Sequence, residues 1–453
     1  MFVIFFGRIF KSHEYTPYQH NNGYAPIVDG FDSMFHRRVF LRTRDCFARL
    51  TTGVPGRTVH VLDRTSEDFN KTYNYSGKFT ECLNLASYNY LGFSPPQGEC
   101  LEKVIGAINK YGVCNNSPRN EVGYSSLHQE AERLVAQYVG KPHAIIQSQG
   151  FSTNSTTLPI LMGKGTLIIS DELNHSSAVY GARLSGANLR AFKHNSIEHL
   201  ENVLRDSIAQ GHPRTHRPWK KILVILEGLY SLEGNILVLN EVIELKKKYK
   251  FYIYLDEAHS IGALGPRGRG VCDHLGVDPN DIDVMMGTFT KSFGAAGGYV
   301  AGSKELIDRI RATNHNSIYG ENISVPILMQ AIASLRVIMG LDGGDEGQRK
   351  LEQLAFNSRY FRTELKSRGF TVMGSPDSPV VPLLLFHPAK IAAFSRECLR
   401  RKLAVVVVTY PTTPLITGRV RFCLSSSHSK EDLDHMLEII SEVGDKLLLK
   451  QMF

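Results

Sequence analysis

The sequence predicts an α/β chain: a large domain built on a mostly parallel sheet between helices, followed by a smaller C-terminal α+β domain. Three observations carry this. Short, near-continuous apolar runs recur from Ala144 to Met286, too apolar to leave one face in water. Capped, helix-periodic segments separate several of them. Beyond about residue 340 the alternation gives way to a long helix and a different order of strands.

The elements follow in order. Residues 1–75 read as an arm, a possible membrane-associated segment, with turns at His20-Asn21-Asn22-Gly23 and Gly53-Val54-Pro55-Gly56. Met1 to Phe10 is apolar but broken by Arg8, too short to span a bilayer and without a signal-cleavage pattern. A clipped membrane segment, an interfacial anchor and a disordered start all fit it. Phe35 to Phe47 has the apolar spacing of a helix lying on another surface, either the core or a membrane. Residues 76–125 form a segment for substrate or dimer contact. The large domain is assigned to 126–340. It opens on a capping-box spacing at Ser126-Leu127-His128-Gln129, and Gly140 stops that helix. Strand-like runs follow at Ala144-Ile145-Ile146, Leu167-Ile168-Ile169, Ile222 to Leu226, Tyr252 to Leu255 and Val284-Met285-Met286, with a helix at Leu239 to Tyr249. The small domain, 341–453, carries a helix from Gly347 to Arg368, strands at Pro379 to Leu385 and Val405 to Val408, and an amphipathic last helix begun by Ser429.

Composition narrows the chemistry. The 453 residues are 42 % hydrophobic and 21 % charged, ordinary for a chain with a real core. The net charge of +8 fits a solvated basic surface, an anionic membrane, or a phosphate-bearing substrate such as a coenzyme A ester. The basic residues do not interleave with stacking aromatics, so nucleic acid is not expected. Seven cysteines without a C-x-x-C pair argue against a disulfide framework and against a zinc site, and no metal is expected.

Ligands in such sheets sit at the carboxyl ends of strands. Asp256 and His259 follow one run, Lys291 follows another, and Asp171, Asn174 and His175 follow a third. A carboxylate, a histidine and a lysine in one crevice suit pyridoxal 5′-phosphate (PLP), which is at once cationic, anionic and an aldehyde. Asp256 would keep the ring nitrogen protonated. His259 would donate to the ring oxygen. Lys291 would form the Schiff base, its amine activated by partial desolvation. Backbone N–H groups and hydroxyls in Gly150-Phe151-Ser152-Thr153-Asn154 and in Thr288 to Ser292, Thr290 among them, would take the phosphate. Each residue alone has an ordinary structural explanation; their convergence is the signal. Asp256-Glu257-Ala258-His259 also matches a helicase acidic motif, but the phosphate loop that class needs upstream is absent.

Asp171 to Ser177, Tyr254 to Gly262 and Gly287 to Gly294 resemble the α-oxoamine synthase family, and Arg214-Thr215-His216-Arg217-Pro218-Trp219-Lys220-Lys221, Val284 to Phe289 and Asp377-Ser378-Pro379-Val380-Val381-Pro382 mark one branch of it. The resemblance runs from about Gly23 to the end. It implies a type I PLP-dependent transferase fold working as a dimer with sites at the subunit interface. It implies decarboxylative condensation of an amino acid, here L-serine, with a long-chain acyl-CoA. The product would be 3-ketodihydrosphingosine, in the first step of sphingolipid synthesis on the cytosolic face of the endoplasmic reticulum membrane. It implies that Lys291 also removes the α-proton, that His175 stacks on the cofactor, that Thr288, Gly150 and Phe151 lie by the phosphate or ring, and that Arg421 binds the substrate carboxylate. Asn89 would be a further substrate contact. Two stretches depart from the family pattern. Gln147-Ser148-Gln149 replaces the usual residues on the phosphate side. Gly320-Glu321-Asn322 puts an acid where relatives reach a partner's cofactor phosphate, which implies a related, non-catalytic partner subunit without a cofactor.

Overall fold

The computed structural model describes residue 36, residues 40–95 and residues 98–450. Met1 to Phe10, and most of the first half of Phe35 to Phe47, lie outside the described residues. The rest of that second segment is a helical turn, Leu41–Thr43, running into a 3-10 turn, Arg44–Cys46. It docks on the small domain: Arg396 bonds the Asp45 carboxylate at 2.7 and 2.8 Å, and Cys46 is buried.

The chain from here to residue 84 is no free arm. Strands β1 (Thr51–Thr52), β2 (Thr58–Thr65) and β3 (Asn74–Asn84) form an antiparallel meander. The expected boundary at 75 falls inside β3. The first six residues of β3 are exposed, so only a few inward side chains, such as Val59, Val61 and Cys82, betray the strands.

Helices α1 (Gly98–Tyr111) and α2 (Ser126–Val139) lead into the large sheet. The cap of α2 is Ser125, one residue earlier than the spacing suggested, with the His128 ring reaching back to its hydroxyl at 2.8 Å. Then follow β4 (His143–Gln147), α3 (Gly150–Leu161), β5 (Leu167–Asp171), α4 (Ser176–Leu184), β6 (Asn188–Phe192), α5 (Ile197–Gln210), β7 (Ile222–Glu227), α6 (Leu239–Tyr249), β8 (Tyr252–Asp256), β9 (Val284–Thr288) and β10 (Gly298–Gly302). The strand order is β4-β10-β9-β8-β7-β5-β6. Only β10 runs antiparallel to its neighbours β4 and β9. The sequence reading missed β10, whose terminal glycines resemble a loop, and β6, an edge strand that exposes Leu189 and Ala191.

Helices α7 (Lys304–Thr313), α8 (Val325–Ile338) and α9 (Glu346–Ser367) lead to the small domain. There β11 (Val380–Phe386), α10 (Pro388–Arg400), β12 (Leu403–Ala404), β13 (Val406–Val408), β14 (Gly418–Cys423) and α11 (Lys430–Lys446) follow. An antiparallel sheet, β11-β14-β13, lies against α9 and α10, with Phe361 and Phe394 packed on Phe422 at 5.5 and 6.3 Å. β12 pairs parallel with β3, tying the N-terminal meander to this domain. Arg57 adds a bidentate bond to Asp432 of α11 at 2.6 and 2.5 Å.

Helices α3 and α4 cross closely through Gly181. A Cβ there would stand 2.7 Å from the Asn154 carbonyl oxygen and 3.0 Å from Ser155 Cα, both backbone atoms. Gly181→Ala should therefore push α3 away at a cost of ~1–3 kcal/mol and weaken binding of the PLP expected from the sequence, because α3 carries the Gly150–Asn154 stretch expected to take its phosphate. Thermal unfolding and a PLP titration check this; unchanged values in both would contradict the packing.

Candidate active site

The carboxyl ends of β5, β7, β8 and β9 converge with the start of α3 on a cavity of about 210 Å³. Its wall brings together Gly150, Phe151, His175, Asp256, His259, Thr288, Thr290 and Lys291, all chosen from sequence. A wider cavity of about 880 Å³ opens beside it, sharing Phe151, His175, His259 and Lys291 and adding Tyr88 and Arg421.

Asp256 closes β8 and is buried. One carboxylate oxygen accepts the Ala258 N–H at 2.9 Å and the other accepts the Asn154 amide at 2.7 Å. Asn154 spends its second amide hydrogen on the Ser177 hydroxyl at 2.9 Å, and its oxygen accepts from Tyr254 at 2.8 Å. The Ser177 hydroxyl then lies 2.7 Å from His175 Nδ1, so one amide fixes both the carboxylate and the histidine. Sequence placed Asn154 in the phosphate stretch; the structure gives it to Asp256 instead.

His175 caps α4, its Nδ1 accepting the Ser177 N–H. Burial lowers its pKa against the pull of Asp256. His259 is buried and held neutral by desolvation and the nearby cations. Its Nδ1 lies 2.8 Å from the Tyr90 hydroxyl. With Nδ1 accepting there, the neutral ring carries its proton on Nε2, a donor. Thr288 donates to the Gly297 carbonyl at 2.7 Å and meets the Thr290 hydroxyl at 2.9 Å.

Lys291 is half-buried, with Nζ 5.7 Å from the Tyr88 ring centroid. Its amine has no hydrogen-bond partner among the described residues. Desolvation lowers its pKa to about 8, with Asp256 and Glu227 pulling the other way. Arg421 is buried, lies 4.5 Å from the Tyr88 ring, and leaves its Nε without a partner. A surface salt bridge is therefore not its role.

Two expectations do not hold in the expected form. Asn89 lines neither cavity: its amide donates to the Pro55 carbonyl at 3.3 Å, and neighbouring Tyr88 takes its place. Gln147 and Gln149 line neither cavity. Gln147 is buried against Asn316, and Gln149 is exposed with its carbonyl capping α3. Sequence reasoning missed Glu227, which ends β7 directly beside Asp256 and accepts the His175 N–H. Burial and the Asp256 charge push its carboxyl far up, so it stands protonated. A lone acid at the end of an apolar run was the available signal.

The wall fits PLP. It offers a desolvated amine without a hydrogen-bond partner among the described residues, a carboxylate fixed for a cationic nitrogen, a neutral histidine donor, and the N-terminus of α3 with a glycine at its first position. A Cβ on Gly150 would stand 2.9 Å from the Thr288 hydroxyl. The family model for aminotransferase class I and II matches residues 80–440. The chain belongs to that family. It is 52 % identical over 446 residues to serine palmitoyltransferase 2 of Schizosaccharomyces pombe, spanning 98 % of this chain and 74 % of that one. Among solved structures it superposes on the serine palmitoyltransferase of Sphingomonas wittichii with TM-score 0.82 at 26 % identity, covering 94 % of this chain and 100 % of that one. A variant of the S. paucimobilis enzyme solved with PLP and myriocin gives 0.77 at 27 %, covering 89 % and 94 %. The fold is the type I fold of PLP enzymes, and this chain is a PLP-dependent acyltransferase.

Two predictions follow from the geometry. In cofactor-free protein, Lys291 should react with an amine-specific reagent half-maximally near pH 8; reaction near the ordinary lysine value of 10.5 would contradict its burial. Glu227→Gln, which mimics a protonated acid, should leave stability nearly unchanged. Glu227→Ala, which orphans the His175 N–H, should cost ~1–3 kcal/mol, as urea unfolding would read.

Proposed function

We propose that this chain is the catalytic subunit of a serine palmitoyltransferase. It joins L-serine to palmitoyl-CoA with loss of CO2 and coenzyme A, giving 3-ketodihydrosphingosine. The observation that carries the proposal is Arg421: a buried guanidinium with no carboxylate partner among the described residues, on the wall that also holds Lys291, His175 and His259. An amino-acid carboxylate is the anion it suits.

Bound PLP supplies an electron sink for bonds broken at the amino-acid α-carbon. Lys291 would hold it covalently through Nζ. Asp256 would hold the ring-nitrogen proton, made rigid for this by Asn154 and the Ala258 N–H. His259 Nε2–H would donate to the ring oxygen, and the α3 N-terminus would take the phosphate. With its pKa brought to about 8, Lys291 is also suited to take the α-proton near neutral pH. His175 would orient the substrate carboxylate against Arg421. The wider cavity, open beside Lys291, would receive the thioester end of the acyl substrate.

A related, non-catalytic subunit would complete the enzyme. Val113, Val122 and Tyr319 are 60 %, 85 % and 75 % exposed in segments joined to the Glu321 stretch, and would offer such a subunit apolar surface. Glu321 itself is exposed, and a partner without a cofactor phosphate meets its charge without conflict. The site of action is the cytosolic face of the endoplasmic reticulum membrane. No helix among the described residues is long and apolar enough to cross a membrane, so attachment there falls to a surface, a partner or other residues.

The test is an absorbance titration of the purified, PLP-loaded complex with L-serine, glycine and L-alanine, followed by assay with labelled palmitoyl-CoA. L-serine should perturb the cofactor band and give labelled 3-ketodihydrosphingosine. Preference for glycine would assign a different α-oxoamine synthase activity. No band at all would leave a scaffold.

A further inference from the structure

The amino ends of the large sheet's parallel strands form the pole opposite the catalytic cavity. The loop His212–Lys221 lies there, between α5 and β7, and it is ordered rather than slack. The His212 N–H bonds the Arg217 carbonyl at 2.9 Å, and the His216 N–H bonds the His212 carbonyl at 2.8 Å. The Trp219 indole donates to the Ser207 carbonyl at 2.7 Å and packs against the His212 ring at 5.6 Å. This frame leaves Arg214, His216, Arg217 and Lys220 exposed. Lys220 N–H bonds the Gly165 carbonyl at 3.0 Å, which sets Lys164 beside them, also exposed.

Arg214, Arg217, Lys220 and Lys164 make no ion pair among the described residues. Lysines on α6 differ: Lys247 pairs with Glu244 and Lys248 with Glu201. Asp206, on the last turn of α5, is the nearby exposed acid. Apolar side chains interleave with the cations: Leu184 at the end of α4, Leu189 on edge strand β6 and Ile208 on α5 are 56 %, 43 % and 44 % exposed. The same pole opens into a cavity of about 430 Å³ walled by Leu161, Met162, Leu223, Tyr252 and Leu306, with Lys221 on its wall. Its one carboxylate, Asp283, is already paired with Lys246 at 2.7 Å.

We propose that this pole is a docking face for an anionic lipid bilayer, with the fixed basic loop on the headgroup phosphates and the interleaved leucines and isoleucine at the acyl boundary. Unpaired cations with apolar neighbours match that surface. A nucleic acid would want stacking aromatics, and Trp219 is committed to Ser207 and His212. The proposal rests on the membrane location proposed above and deepens it. Docked this way, the catalytic mouth faces the aqueous side.

The test is flotation of the full-length, PLP-loaded chain with vesicles of phosphatidylcholine alone and of phosphatidylcholine with phosphatidylserine. The wild-type chain should float with the anionic vesicles, stay behind with the neutral ones, and lose binding as salt rises. Reversing three of the loop charges, Arg214→Glu with Arg217→Glu and Lys220→Glu, should weaken binding about 100-fold or more, while turnover of detergent-dispersed substrate persists. A matched reversal of three exposed small-domain lysines, Lys366→Glu with Lys402→Glu and Lys430→Glu, should keep most of the binding. If the loop variant floats like wild type, the face is wrong while membrane association stands. Equal flotation with neutral vesicles overturns the anionic chemistry. Flotation with neither overturns both the face and direct membrane association of this chain.

Discussion

Everything at the catalytic end depends on a charge relationship inside a poorly solvated space. Asp256 and Lys291 share the cavity wall but are not hydrogen-bonded to each other. Each carboxylate oxygen accepts one hydrogen bond, from Asn154 and from the Ala258 N–H, so the buried group is oriented and still has acceptor capacity towards the cavity. The amine is left without a partner, and desolvation lowers its proton affinity. Had Asp256 and Lys291 closed into a salt bridge, the amine would be held protonated and neither group could serve a bound cofactor. Separation of the two, enforced by Asn154, is the constraint that makes the site chemical rather than structural.

Asn154 has that role because of where it sits. It projects from the first turns of α3, one helix away from His175 on α4, and Gly181 lets the two helices approach closely enough for a side-chain relay through Ser177. The same helix presents its N-terminus to the cavity. The cavity-facing N-terminus, the carboxylate orientation and the histidine orientation are thus set by one element, and a shift of α3 moves all three together. Glu227 adds a protonated acid under the His175 backbone. It braces that histidine without adding a second negative charge beside Asp256.

Much of this was legible in the sequence because it is local. Strand ends announce themselves through apolar runs, and Asp256, His259, Lys291 and His175 each follow one directly. What was not legible depends on contact between distant segments. Asn154 meets Asp256 across 102 positions. Tyr90 meets His259 across 169. Local pattern cannot report such pairings. Strand β10 and the β1–β3 meander were missed for another reason. The first is bounded by glycines and the second is largely solvated, so neither shows the hydrophobic period that marks a strand.

The wider cavity is walled by three separate parts of the chain. Arg421 lies on β14 of the small domain, Lys291 after β9 of the large one, and Tyr88 in the segment between β3 and α1. These three parts of the chain are held in one frame by the shared core, by the β3–β12 pairing and by the buried Arg419–Glu233 ion pair at 3.2 Å. Tyr88 carries the Arg421 guanidinium and the Lys291 ammonium near one ring, at 4.5 and 5.7 Å from its centroid. Neither makes an ion pair with a carboxylate among the described residues, though Asp256 and Glu227 act on Lys291 more strongly than Arg421 does. Arg421 therefore keeps a positive charge on the cavity wall that no carboxylate pairs among the described residues, which favours an anionic ligand there.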